Sequence, residues 1–157
     1  MPARSKPKTP PSPALLAFWD TSAIVPLCCR QPQTSEARRA ARLYGRQVVW
    51  WATPIEAVSS LERLSREGDL PTKDRSQAFA RLAYLRERWN EVQPLDEVRD
   101  LAERLLRAHK LRAADALQLA AALVWCSNQP RGRHFIGADG RLAEAAEIEG
   151  FSVLRIL

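Results

Sequence analysis

The chain has 157 residues, 46% of them hydrophobic, which suits one globular domain with a real core and excludes a chain disordered throughout. Its formal net charge of +6 favours acidic partners such as nucleic acid, but Arg4, Lys6 and Lys8 carry three of those charges and leave only +3 for residues 14–157. The three cysteines, Cys28, Cys29 and Cys126, and two histidines, His109 and His134, show no disulfide-framework or zinc-ligand spacing, so the thiols are expected to be reduced, as in a cytosolic protein.

Residues 1–13, MPARSKPKTPPSP, are rich in Pro, Ser and Lys and form an expected disordered basic extension. They lack the apolar stretch of a secretory signal. The folded domain is expected over residues 14–157. Leu15 to Trp19 is a short apolar run that suits a buried strand, and it ends at Asp20. Thr21 and Ser22 then offer caps for a helix over Ala23 to Leu27. Ser35 to Tyr44 reads as a helix with Gly45 as its stop. Gln47 to Ala52 (QVVWWA) is β-branched and aromatic, as a strand requires. Thr53-Pro54 opens a helix to about Arg66, closed by Gly68. Lys73 to Trp89 places Ala78, Leu82, Leu85 and Trp89 on one helical stripe.

Val92 to Leu95 suits a short strand. Two amphipathic helices follow, Glu97 to His109 and Arg112 to Cys126. His134 to Ala138 and Ser152 to Ile156 read as the last strands, with a helix over Leu142 to Ile148 between them. No apolar run reaches the roughly 18 residues of a membrane span, so a soluble, cytoplasmic chain without membrane contact is expected. Short apolar strands alternating with helices predict an α/β fold with a mostly parallel sheet covered on both faces. Sites in such sheets lie at the carboxyl ends of the strands.

That rule selects acidic residues. Asp20, in FWDTSA, and Asp139, in FIGADGRL, each follow a predicted strand. Asp is also a favoured N-cap, which alone would explain either one. Glu56, in ATPIEAVSSL, stands three residues after Thr53, the spacing of a capping box with Pro54 at the first helical position. Asp115 lies in LRAADALQLAAALVW, a helix apolar nearly all round and therefore buried. A buried carboxylate is costly unless paired or metal-bound. Gathered in one pocket, four carboxylates repel one another unless protonated or neutralised by a cation. Oxygen donors without His or Cys select Mg²⁺ or Mn²⁺, and ions of that kind serve phosphodiester hydrolysis. Arg112 and Arg141 lie near these acids and could bind RNA phosphates, though solvated helix-end arginines are common. Trp50 and Trp51 could stack bases, but a strand position favours the core for at least one.

The order FWDTSAIVPL, ATPIEAVSSL, LRAADALQLAAAL and GADGRLAEAAEIEGFSVL resembles the PIN-domain ribonucleases over residues 16–157. It is most similar to the VapC toxins of bacterial toxin–antitoxin pairs. The resemblance implies a three-layer α/β/α sandwich with a central parallel sheet. It implies Mg²⁺- or Mn²⁺-dependent cleavage of structured RNA such as tRNA or rRNA, a homodimer, and inhibition by a VapB-type antitoxin. Asp20, Glu56, Asp115 and Asp139 match the family's acidic quartet as catalytic and metal-holding residues. Ser22 matches a supporting hydroxyl. Two positions depart from the pattern: Gly137, where a Thr or Ser often precedes the last acid, and Gln118, where His is frequent. Competing readings are a PIN-like module that binds RNA or a partner without cutting, a solitary RNA-processing nuclease, and a phosphatase-like or DNA-directed hydrolase.

Overall fold

Crossovers of one or two helices return the backbone to the same end of a central sheet, so that every described strand runs in one direction. The computed structural model describes residues 14–157. The extension expected over residues 1–13 lies outside the described residues. The first half holds β1 (Leu16–Trp19), α1 (Thr21–Cys28), α2 (Thr34–Leu43), β2 (Arg46–Trp50), α3 (Thr53–Glu67), α4 (Thr72–Arg86) and β3 (Asn90–Val92). The second half holds α5 (Asp96–Ala108), α6 (Ala113–Trp125), β4 (His134–Gly137), α7 (Gly140–Glu149) and β5 (Ser152–Arg155).

The strand order is β3-β2-β1-β4-β5, and every neighbouring pair is parallel. The expected α/β sandwich is therefore present, with the described sheet wholly rather than mostly parallel. Side chains alternate across a strand, and the two cores follow from that alternation. Ala17, Trp19, Val49 and Ile136 face a core shared with α1 to α4. Phe18, Val48, Trp50 and Phe135 face a second core shared with α5, α6 and α7. Phe18 stacks on Phe135 across the β1–β4 pair at 5.4 Å between ring centres. Alanines at 116, 120, 121 and 122 are all buried in α6, and their small size lets that helix lie close to the sheet.

The chain moves outward from β1 through β2 to β3, then returns to lay β4 on the other side of β1. The direction of strand addition reverses between β1 and β4, and a crevice opens there beyond the strand ends. Asp20 N–H donates to Ile136 C=O at 2.9 Å and carries the ladder one residue past β1.

Three local expectations shift. The short strand forms at Asn90–Val92, because those residues pair with Val48 to Trp50, while Pro94 has no N–H to extend the ladder. Trp89 is buried but lies beyond the end of α4. Gly45 follows α2 without a left-handed turn. A Cβ there would stand 3.1 Å from Ala41 O and 3.2 Å from Ala14 Cβ, so close approach is what the glycine permits. Gly68, by contrast, closes α3 at φ 87° as expected.

Leu119 is wholly buried in the α6 core that anchors the helix carrying Asp115. Leu119→Ala should destabilise the fold by about 2–5 kcal/mol in urea unfolding, through lost transfer energy and the cavity left behind.

Candidate active site

Asp20 ends β1 and caps α1. Its extended backbone (φ −70°, ψ 151°) points the carboxylate back over the first turn, where it accepts the Ser22 N–H at 3.2 Å. The Ser22 hydroxyl donates to the same carboxylate oxygen, Oδ2, in a short contact. The same hydroxyl accepts the Ala138 N–H at 2.8 Å, tying the end of β1 to the loop after β4. Thr21 and Ser22 are thus not the caps of α1, because Asp20 fills that role. Their hydroxyls serve carboxylates instead.

Glu56 lies in the first turn of α3, but no capping box forms. The cap is Ala52, without a side-chain bond, and Thr53 is already inside the helix. The Glu56 carboxylate turns toward the crevice. Its Oε2 accepts the Thr21 hydroxyl at 3.3 Å, and its Oε1 accepts Gln118 Nε2 at 3.3 Å. Gln118 sits one helical turn after Asp115, fully buried, and also donates to Thr21 Oγ1 at 2.8 Å and Thr53 Oγ1 at 3.3 Å.

Asp115 lies in the first turn of α6 and is half-buried rather than enclosed, since the helix's fully buried stretch begins only at Ala116. Asp139 caps α7, its Oδ1 accepting the Leu142 N–H at 2.8 Å, and it stands at the exposed rim. The capping explanation is therefore correct for Asp20 and Asp139, yet both also face the crevice. Asp20, Glu56, Asp115 and Asp139 line one cleft of about 550 Å³, together with Ser22 and Arg112. Arg141 lies just outside, in an adjoining hollow shared with Arg112, Asp115 and Asp139.

The acids feel one another. Burial pushes the Asp20 carboxyl up from its usual 3.8 to about 7, helped by the charges of Glu56 and Asp115 and opposed by the Ser22 bonds. Glu56 is raised by burial and by Asp115, against its bonds from Gln118 and Thr21. Asp115 is raised by burial and by Asp139, against Arg112. Among the described residues no group of three or more His, Cys, Asp or Glu side chains is gathered closely enough to hold an ion by itself. Mg²⁺ does not need one, since it keeps several waters and takes only one or two carboxylates. The donor set, four carboxylates lining one cleft without His or Cys, fits a hard divalent cation.

The remaining candidates fall elsewhere. His109 pairs with Glu149 at 2.8 Å, and His134 lies against Tyr44. All three cysteines are buried free thiols. Trp50 is buried, while Trp51 is 45% exposed. A Cβ at Gly137 would stand 3.5 Å from Asp20 Cβ, so the missing hydroxyl there would have faced Asp20; Ser22 supplies one instead. The sequence offered Thr21 only as a helix cap and Gln118 only as a departure from the family pattern, so their bonds to Glu56 were not foreseen. The available signal was Gln118 itself, a lone amide within the apolar run from Ala116 to Val124.

Ionising Asp20 costs the metal-free fold. Its folded value lies above its unfolded one, so the stability tied to its protonated form is full below about pH 4 and is lost as pH rises through about 7. Asp20→Asn keeps a good cap and removes that cost. In EDTA the variant should melt above wild type, with a larger gain at pH 7.5 than at pH 5 by thermal unfolding. An equal gain at both values would contradict the burial-driven rise.

Among curated proteins none matches the sequence significantly. Among solved structures, the crystal structure of PAE2754 from Pyrobaculum aerophilum has a similar fold, with a TM-score of 0.57 and 21% identity over 88% of this chain and 89% of that one. The family model described as PIN domain matches residues 17–147, the span from β1 into α7 that holds all four acids. PIN domains are generally nucleases. With the parallel sheet, the strand order and the acid-lined crevice in place, the chain belongs to the PIN-domain family.

Proposed function

We propose that the protein is a divalent-metal-dependent endoribonuclease and the toxin of a toxin–antitoxin pair. The observation that carries the nuclease reading is that four carboxylates from four separate helix starts line one cleft at the reversal point of the sheet. Asp20, Glu56, Asp115 and Asp139 would hold Mg²⁺ or Mn²⁺. When bound, such an ion offsets the carboxylate and phosphate charges and makes a water nucleophilic near neutral pH.

The chain's own residues prepare the cleft for that chemistry. Ser22 orients Asp20 by two bonds to one oxygen, Oδ2, and leaves Oδ1 without a partner among the described residues. Thr21 and Gln118 bind Glu56 from the floor of the cleft. Asp139 has one oxygen committed to Leu142, which leaves the other at the mouth. Arg112, at the rim beside Asp115, and Arg141, in the adjoining hollow, carry the positive charge that phosphates need.

The toxin role rests on the motif order FWDTSA, ATPIEAV, RAADALQLA and GADGRL, which is most similar to VapC toxins. A VapB-type antitoxin, a homodimer and a tRNA or rRNA substrate belong to the same reading. Among the described residues no helix is long and apolar enough to cross a membrane.

Incubation of the protein with structured RNA and Mn²⁺ or Mg²⁺ should give defined internal cuts, abolished by EDTA. Asp115→Asn should reduce kcat/KM by more than the roughly 10–100-fold typical of outer partners of a metal site. Cutting that persists in EDTA or in the variant contradicts the metal mechanism. Arg112→Ala and Arg141→Ala, in a cleavage-dead Asp20→Asn background, should each lower the slope of log K for single-stranded RNA against log salt by about 0.7. Unchanged slopes would remove these arginines from the substrate path.

A further inference from the structure

We propose that Gln118 is a positioning residue: its buried amide holds Glu56 and Thr21 at the cleft. This rests on the reading of Glu56 as a cation ligand.

Gln118 has no exposed surface, and its neighbours along α6 are alanines and leucines. Its Nε2 has two hydrogens and three oxygens within reach: Thr21 Oγ1 at 2.8 Å, and Thr53 Oγ1 and Glu56 Oε1 at 3.3 Å. The amide has one workable orientation, because a flipped group would press its carbonyl oxygen against the Glu56 carboxylate. The Thr21 hydroxyl accepts from this amide, so its own hydrogen is free to go to Glu56 Oε2. Both carboxylate oxygens are thereby bonded from below, which immobilises a side chain that otherwise samples many rotamers.

The other end of the amide has no such use. Gln118 Oε1 is buried without a hydrogen-bond partner among the described residues. An unpaired buried carbonyl weakens a fold, and an apolar side chain of similar shape would pack better among alanines and leucines. Methionine would remove the unpaired carbonyl but also the donor to Thr21 and Thr53, so the two changes in stability oppose each other. The amide's worth lies in what it does to Glu56.

The test is Gln118→Met, with Thr21→Val as a second variant that breaks the same relay at its hydroxyl. Thermal unfolding in EDTA reads stability, and titration calorimetry with Mn²⁺ reads the site without depending on turnover. Gln118→Met should melt close to wild type, the lost donor bonds offsetting the removal of the unpaired carbonyl, and should bind Mn²⁺ about 10–100-fold more weakly, as for other outer partners of metal ligands. Thr21→Val should weaken Mn²⁺ binding in the same direction. The double variant should lose less than the two single losses combined, because both act through one carboxylate. Unchanged Mn²⁺ affinity in both single variants overturns the proposal, and a lower melting temperature with unchanged affinity makes Gln118 a packing residue. If wild type itself binds no Mn²⁺, the metal reading of the cleft fails, and this proposal falls with it.

Discussion

Like charges gathered at one edge of a parallel sheet set the terms for the rest of this structure. The described strands end at the same edge, where α1, α3 and α7 begin with Asp20, Glu56 and Asp139, while α6, which follows α5, brings Asp115 to the same cleft from its own first turn. Asp20, Glu56, Asp115 and Asp139 each sit at a helix start, where the backbone dipole stabilises an anion by roughly 0.3–1 kcal/mol. The rise of the Asp20 carboxyl from 3.8 to about 7 corresponds to about 4 kcal/mol against its charged form. The dipole is too weak to offset that. A divalent cation bound there would be strong enough, which is the physical ground for the proposed metal dependence.

The two layers of the sandwich meet at this edge. Glu56 comes from α3, on the side of the first core, and Gln118 comes from α6, on the side of the second. They meet beside Thr21, at the end of the central strand. Ser22 makes a second tie, from the end of β1 to the loop after β4. The crevice between β1 and β4 is therefore braced from both faces by side chains that also orient its acids. Packing elsewhere, such as the Phe18–Phe135 stack, holds the two strands in register beneath it.

Much of this was legible in the sequence. Apolar runs ending in Asp20 and before Asp139 located the strands beside the crevice, and short strands separated by one or two helices implied a parallel sheet. What stayed hidden depends on distant contacts. Thr53 and Glu56 have the spacing of a capping box, but the carboxylate is drawn away by Thr21, 35 residues earlier, and by Gln118, 62 residues later. The Gln118–Thr21 bond spans 97 residues, and the Ser22–Ala138 tie spans 116. Local pattern cannot announce such pairings. The third strand was displaced for a similar reason: its polar residues Asn90 and Glu91 become a strand through pairing with β2, not through their own preference.

The central claim is that these four carboxylates form one cation site. Anomalous diffraction from crystals soaked in Mn²⁺ tests it most directly, because the ion's own signal fixes its place. The account predicts density within the cleft, with ligands drawn from Asp20, Glu56, Asp115 and Asp139. Anomalous density confined to other acidic surfaces, or a cleft left empty at saturating Mn²⁺, would contradict it.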